Sequence, residues 1–259
     1  MNEPVFLLGK RRAPFEQLSR EVLRSAADVR KAYAKTRRAL WVVVDGDALA
    51  LLMSARVPSD TFHRVLLLER ATTARRELLH AHFRVVVAPD DDVLLLPPNE
   101  LVDVMRDERR DDLFIGGVVD REDAALVLYR GNLDRLVVPL EWFEARPKAR
   151  PSFSAFAIID GGQTVKLGAY EVAADAILYA FDSDARRRMK GRALEQDSSF
   201  GGAVRRLRLQ KGLSRADFRP ISAKTIARIE RGDVEAPRGH TLGAIAKHLG
   251  VKPEEIESY

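Results

Sequence analysis

Lys224 and Arg228 stand four residues apart in the stretch SAKTIARIERG, which runs from Ser222 to Gly232. On a helix, residues at that spacing lie on one face, whereas Ile226 and Ile229 share another that can pack inward. An ammonium and a guanidinium so placed can donate to guanine edges or to phosphate oxygens. Ala223 and Ala227 are small enough to let a base edge or a thymine methyl approach closely. The Thr225 hydroxyl can bond a phosphate, and the free amides at the Ser222 end of a helix suit the same anion. The chemistry implied is contact with a nucleic-acid groove.

Other reactive patterns in the sequence are incomplete. RRELLHAH (75–82) resembles the H-E-x-x-H zinc motif, which needs two histidines one helical turn apart. Arg76 occupies the first ligand position, and His80 and His82 are two apart, so one helix cannot aim both at a metal. Asp90, Asp91 and Asp92, and the pair Asp111 and Asp112, read as turn and cap residues. IGGVV (115–119) lacks the lysine and the helix that a phosphate-cradling loop requires. No nucleophile is accompanied by a base. The expectation is no catalytic residue, no metal, no cofactor and no enzyme activity. An N-terminal enzyme with a fused targeting module is a third reading, which a stoichiometric bound metal or nucleotide would signal.

The elements that must hold Lys224 and Arg228 come next. Between Gly201 and Gly232 lie nine basic residues (Arg205, Arg206, Arg208, Lys211, Arg215, Arg219, Lys224, Arg228 and Arg231) against only Asp217 and Glu230. This local balance of +7 exceeds the +5 of the whole chain, so the basic excess is concentrated in one segment. FGGAVRRLRLQKG predicts a helix with Val204, Leu207 and Leu209 apolar and Gly212 as its stop. Ser214 caps a very short piece, Ser222 caps the basic helix, and TLGAIAKHLG turns Leu242, Ile245, Ala246 and Leu249 inward before Gly250. Pro253 then opens PEEIESY.

This C-terminal segment resembles the lambda-repressor-like, XRE-type helix-turn-helix family, through LRLQKGLSRADF, ISAKTIARIERG and TLGAIAKHLGVKPEEI in family order. The resemblance implies an all-α five-helix domain over 200–259 that binds double-stranded DNA. It places Ala223, Lys224 and Arg228 at bases, with Thr225, Ser214, Arg215 and Arg238 near phosphates. It pairs Glu230 with Arg208 as a structural brace. The stretch from Leu213 to Ile221 is shorter than the family's and carries Arg215 where a glutamine is usual. Helix two is therefore expected to be cut short, with Arg219 and Pro220 making the turn.

The remainder reads as mixed. About the first 40 residues carry helical spacing from Phe15 to Val29. LWVVVD (40–45) and FRVVVA (83–88) read as strands around a long helix over about 59–80, and Asn99 caps a further helix, ELVDVMRDE. From Asp112 short β-rich runs separated by Gly, Pro and Asn predict a small antiparallel meander, then a helix from YEVAADAIL and a charged connector. Residues 112–188 resemble, more weakly, a small uncharacterised bacterial α/β domain, through RGNLDRLVVPLEWFEARPKAR and VKLGAYEVAADAIL. No activity follows from that likeness, and Trp142 and Phe143 read as core or interface residues.

The fold class expected is α+β: an N-terminal α/β region (1–111), a small antiparallel-sheet domain (112–196) either separate from it or one unit with it, and the helix-turn-helix domain. No apolar run approaches the roughly 20 residues that span a bilayer. Zero cysteines fit a reducing cytoplasm. The implied protein is a cytoplasmic, sequence-specific DNA-binding regulator acting as a homodimer. Its N-terminal region would dimerise or sense a small-molecule effector. The alternative is an antitoxin-like or scaffold protein whose N-terminal region grips a protein partner.

Overall fold

The computed structural model describes every residue except 1–2, 11–12, 20–21, 60–61, 90–92, 146–148, 235–236, 238 and 259. Arg238 and the Asp90–Asp92 run thus lie outside the described residues. The chain forms two compact units, 1–183 and 184–259, dividing ahead of the charged connector.

The first unit opens with β1 (Val5–Leu8) and β2 (Val22–Leu23), then α1 (Ala26–Lys35), β3 (Leu40–Val43), α2 (Gly46–Ser54), β4 (Arg64–Leu67), α3 (Thr73–His80) and β5 (Val85–Val87). These five strands make one parallel sheet in the order β2-β1-β3-β4-β5. Phe6, Trp41 and Val65 fall in one cross-strand row, and side chains of α1, α2 and α3 (among them Val29, Tyr33, Leu49, Leu52 and Leu79) close over it as one core. The row facing the other way, Leu7, Val42 and Leu66, is fully buried too. Burial on both faces is the usual state of a parallel sheet and leaves its strands without polar alternation.

That explains two corrections. The first 40 residues are not mainly helical: among those described only Ala26–Lys35 is α-helix, started by a capping box between Ser25 and Asp28. The expected long helix over 59–80 is instead the strand β4, four residues buried throughout, followed by α3, capped by Thr72.

Next come β6 (Leu94–Leu95), α4 (Pro98–Arg106), β7 (Phe114–Asp120), β8 (Ala125–Arg130) and β9 (Arg135–Pro139). Pro97 rather than Asn99 holds the cap position of α4, and Pro98 occupies the first helical position, where no N–H is needed. Strands β6 to β9 form an antiparallel sheet in chain order. A second meander joins β10 (Phe156–Ile159), β11 (Thr164–Leu167) and β12 (Tyr170–Ala173). The glycines of IGGVV serve this packing: a Cβ on Gly116 would collide with the Leu94 carbonyl oxygen and the Leu95 side chain. YEVAADAIL is part strand: β12 precedes α5 (Ala174–Phe181), and the charged connector is itself a helix, α6 (Ser183–Glu195). Phe143 is buried, with the rings of Trp142, Phe153 and Tyr170 5.1–6.3 Å from its own.

Ion pairs centred on the buried Arg64 tie the parallel sheet to the four-stranded antiparallel one. Arg64 of β4, 1% exposed, pairs with Glu3 and, at 2.8 Å, with Asp134 in the β8–β9 turn. Arg38 bridges the same two carboxylates. Arg110, whose guanidinium donates to the Glu3 carbonyl at 3.0 Å, closes the cluster from the segment before β7. Glu3 and Asp134 thus supply the counter-charges for Arg64, where an isolated buried arginine would be costly.

Among the described residues no helix is long and apolar enough to cross a membrane.

Candidate nucleic-acid interface

The second unit continues with α7 (Phe200–Gln210), a 3-10 turn at Arg215–Asp217, α8 (Ala223–Glu230), α9 (His240–Leu249) and a 3-10 segment at Pro253–Ser258. Three of the five expected helical pieces are therefore α-helices, and the second piece is a single 3-10 turn. The sequence explains each boundary. Ser199 caps α7 by accepting from the Gly202 amide at 3.1 Å. Ser214 and Asp217 form a reciprocal capping box on the short turn. Gly232 and Gly250 adopt positive φ beyond α8 and α9.

The core is small and apolar. Val204 and Leu207 of α7, Phe218, Ile226 and Ile229 of α8, Ile245 and Leu249 of α9, and Ile256 are at most 1% exposed. Leu209, expected with the apolar face of α7, is 57% exposed and belongs to the surface. Gly201 lets α7 lie against the end of α8, since a Cβ there would strike the Ile229 carbonyl.

Packing fixes which side of α8 faces water. Ile226, Ile229 and Glu230 are buried, Thr225 and Ala227 half-buried, and Ala223, Lys224 and Arg228 exposed. Ser222 lies at the N-cap; its hydroxyl accepts from the Thr225 amide at 3.1 Å and shares a hydrogen bond with the Thr225 hydroxyl at 2.9 Å. The Thr225 hydroxyl, expected to meet a phosphate, thus sits at the start of α8, bonded to the Ser222 hydroxyl that caps the helix. Ser214 is exposed at the cap of the 3-10 turn.

Beneath α8 lies a buried ion cluster. The Glu230 carboxylate, 2% exposed, receives Arg208 through Nε at 2.5 Å and Nη2 at 3.2 Å. Arg208 also donates to the Leu213 carbonyl at 2.9 Å, which holds the turn after α7. The expected pair is present, and a partner unseen in the sequence joins it. Arg215, expected near phosphates, donates through Nε to the other Glu230 oxygen at 2.8 Å. Burial pushes the Glu230 carboxyl up, but the hydrogen bonds and charges of the two arginines outweigh it and hold the group below its ordinary value. The only sequence hint of this role was an arginine where the resembling family carries glutamine.

The nine cations of the basic segment now separate into two groups. Arg208 and Arg215 bind Glu230, Arg231 binds Asp233, and Arg206 donates to the backbone carbonyl of Asp197. Arg205, Lys211, Arg219, Lys224 and Arg228 have no ion-pair partner among the described residues. The turn that precedes α8 has a further prop: the His248 ring nitrogen Nε2 bonds the Arg219 carbonyl at 2.8 Å while its ring lies 5.5 Å from Phe218.

The other candidates of the sequence belong to the first unit. His80 ends α3 exposed, His82 falls in the turn behind it, and no set of three or more potential metal ligands clusters among the described residues. Asp111 and Asp112 belong to a 3-10 turn ahead of β7.

Residues 199–258 match the family model of a helix-turn-helix domain. No curated protein and no solved structure matches the chain.

Proposed function

With a helix-turn-helix domain established at the C-terminus, we propose that the protein is a sequence-specific DNA-binding transcriptional regulator of the XRE, lambda-repressor-like type. The observation that carries the reading is the two-sided character of α8, which buries Ile226, Ile229 and Glu230 while presenting Ala223, Lys224 and Arg228 to solvent with no counter-ion among the described residues. In this reading α8 enters the major groove, where Lys224 and Arg228 donate to base edges and Ala223 permits the approach. Ser222 and Thr225 lie where a backbone phosphate meets the start of the helix, and Ser214 and Arg238 serve neighbouring phosphates. Lys211, Arg205 and Arg219 add sequence-independent attraction. Arg215 acts chiefly as a brace on Glu230, with its exposed portion turned to the same phosphates.

One such module contacts few base pairs, so a homodimer reading two half-sites is the assembly that fits. The first unit supplies dimerisation or a response to a signal, and the protein works in the cytoplasm. Fluorescence anisotropy with the DNA upstream of its own gene, a scrambled duplex and a salt series tests the reading. Tight binding to the first duplex, lost in Lys224→Ala/Arg228→Ala and falling steeply with salt, is expected. Weak binding that is indifferent to sequence and to both substitutions would refute it and favour protein contacts for the domain.

A further inference from the structure

The second piece of the helix-turn-helix domain is only the 3-10 turn Arg215–Asp217, and a hollow of about 730 Å3 opens beside the start of α8. It is lined by Ala216, Arg219 and Pro220 from the turn and by Ile221, Ser222 and Ala223 from the approach to the helix. All six belong to one continuous run, 216–223, of which every residue is described. Ala216 and Ala223 are both exposed, so small side chains leave the hollow open to a bulky visitor.

Of those six residues only Arg219 carries a charge. The one acid within the run, Asp217, is occupied by the Ser214 amide, which donates to it at 2.6 Å. The Arg219 side chain is exposed and has no ion-pair partner among the described residues. Its backbone, by contrast, is anchored. Phe218 beside it is fully buried, the Phe218 carbonyl accepts from the Ile221 amide at 2.8 Å, and the Arg219 carbonyl accepts from His248 Nε2 at 2.8 Å. A cation on fixed backbone, at a hollow lined by no acid, is arranged for an anion brought from outside.

We propose that this hollow seats one phosphate of the DNA backbone, clamped by the Arg219 guanidinium, with the adjoining sugar against Ala216 and Pro220. The inference rests on the DNA-binding reading of α8, and it gives Arg219 a discrete contact in place of diffuse attraction. A backbone phosphate carries one negative charge and presents free oxygens that a guanidinium fork can take in bidentate fashion. Ala223 borders the hollow and immediately precedes Lys224, so a strand seated there passes beside the base edge that Lys224 would reach. Such a contact sets the depth and register of α8 and carries no sequence information itself.

Anisotropy titrations of the full chain against the duplex upstream of its own gene and a scrambled one, across a salt series, test the clamp. Each phosphate contact contributes about 0.9 to the slope of log affinity against log salt, or about eightfold in affinity at 0.1 M relative to 1 M salt. Arg219→Gln should therefore lower the slope by about 0.9 per bound domain and weaken both duplexes about eightfold at 0.1 M, leaving their ratio unchanged. Arg219→Lys, which keeps the charge, should keep the slope. Ala216→Phe changes no charge but fills the hollow, and it should weaken binding to both duplexes as well. Ethylation interference should reveal one phosphate per half-site whose modification weakens wild type but not Arg219→Gln. The prop from His248 runs through the backbone carbonyl, so substitutions at 219 leave it in place; if circular dichroism shows Ala216→Phe misfolded, the Arg219 variants decide. An unchanged slope in Arg219→Gln, an interference pattern identical to wild type, or full affinity in a folded Ala216→Phe would each overturn the clamp. The reading of α8 would survive those results if Lys224→Ala/Arg228→Ala still lost discrimination. Wild type that binds both duplexes equally weakly would overturn the clamp and that reading together.

Discussion

Replacing Glu230 with alanine removes the carboxylate that holds Arg208 and Arg215 beneath α8. Arg208 is buried, its side chain 9% exposed, and would keep a positive charge with no counter-ion. Removing one partner of a buried ion pair costs about 3–5 kcal/mol. The second unit has 76 residues, from 184 to 259. At about 0.05–0.15 kcal/mol per residue its total stability is roughly 4–11 kcal/mol, so the loss approaches the whole. Arg215→Ala removes a contact whose arginine is 44% exposed, and the cost should be only about 0.5–1 kcal/mol. Urea unfolding followed by two probes separates the units, because both tryptophans, Trp41 and Trp142, lie in the first. For Glu230→Ala the far-ultraviolet circular dichroism should show an early transition, shifted by about 2–5 M from wild type, taking an m-value of about 1–1.5 kcal/mol/M. Tryptophan fluorescence should keep its midpoint. A shift no larger than that of Arg215→Ala would refute the view that the brace carries the domain, and a matching shift in fluorescence would refute the independence of the units.

Arg228→Ala should cost about 1–3 kcal/mol in binding to the specific duplex and much less on scrambled DNA; anisotropy titrations compare the two. Glu230 also makes the second unit acid-sensitive. Its folded-state pKa lies below the ordinary 4.5, so its stabilisation is complete above that value and disappears as pH falls through the folded one; circular dichroism midpoints should drop there, and Glu230→Gln should flatten the fall. The first unit has an acid weakness at higher pH. His63 is wholly buried, accepts from Trp41 Nε1 at 3.1 Å and has its pKa lowered to about 4 by burial. The unfolded chain binds this proton from pH 6.5 downward and the folded one does not, so stability should fall by roughly 3 kcal/mol between pH 6.5 and 4. Trp41 fluorescence during urea unfolding reads it, and an unchanged midpoint across that window would refute the account.

The helix-turn-helix was legible because its signals are local. Ser222, the Ile226–Ile229 spacing and Gly232 each encode a boundary or a face within a few residues. The parallel sheet was not. β2 has two residues, β1, β3 and β4 four each, and runs buried on both faces carry no alternation to separate strand from helix. The same limit hid β4 inside an apparent helix over 59–80. At the site, Lys224 and Arg228 could be read from one helix face, whereas the Arg215 brace depends on a turn folding back against the end of α8, a contact between residues fifteen apart that no spacing rule encodes.

The ion cluster around Arg64 bears on how the protein can be divided and recombined. Its members come from residues 3, 38, 64, 110 and 134, so the parallel sheet and the four-stranded antiparallel sheet of the first unit share the solvation of one guanidinium. A fragment ending before β7 would retain Arg64 and lose Asp134, while one beginning at β7 would leave Asp134 without Arg64. The two halves therefore form a single heritable block. An exchange of modules that gave this helix-turn-helix a different companion would preserve folding by joining near residues 183 and 184, and a join inside the first unit would not.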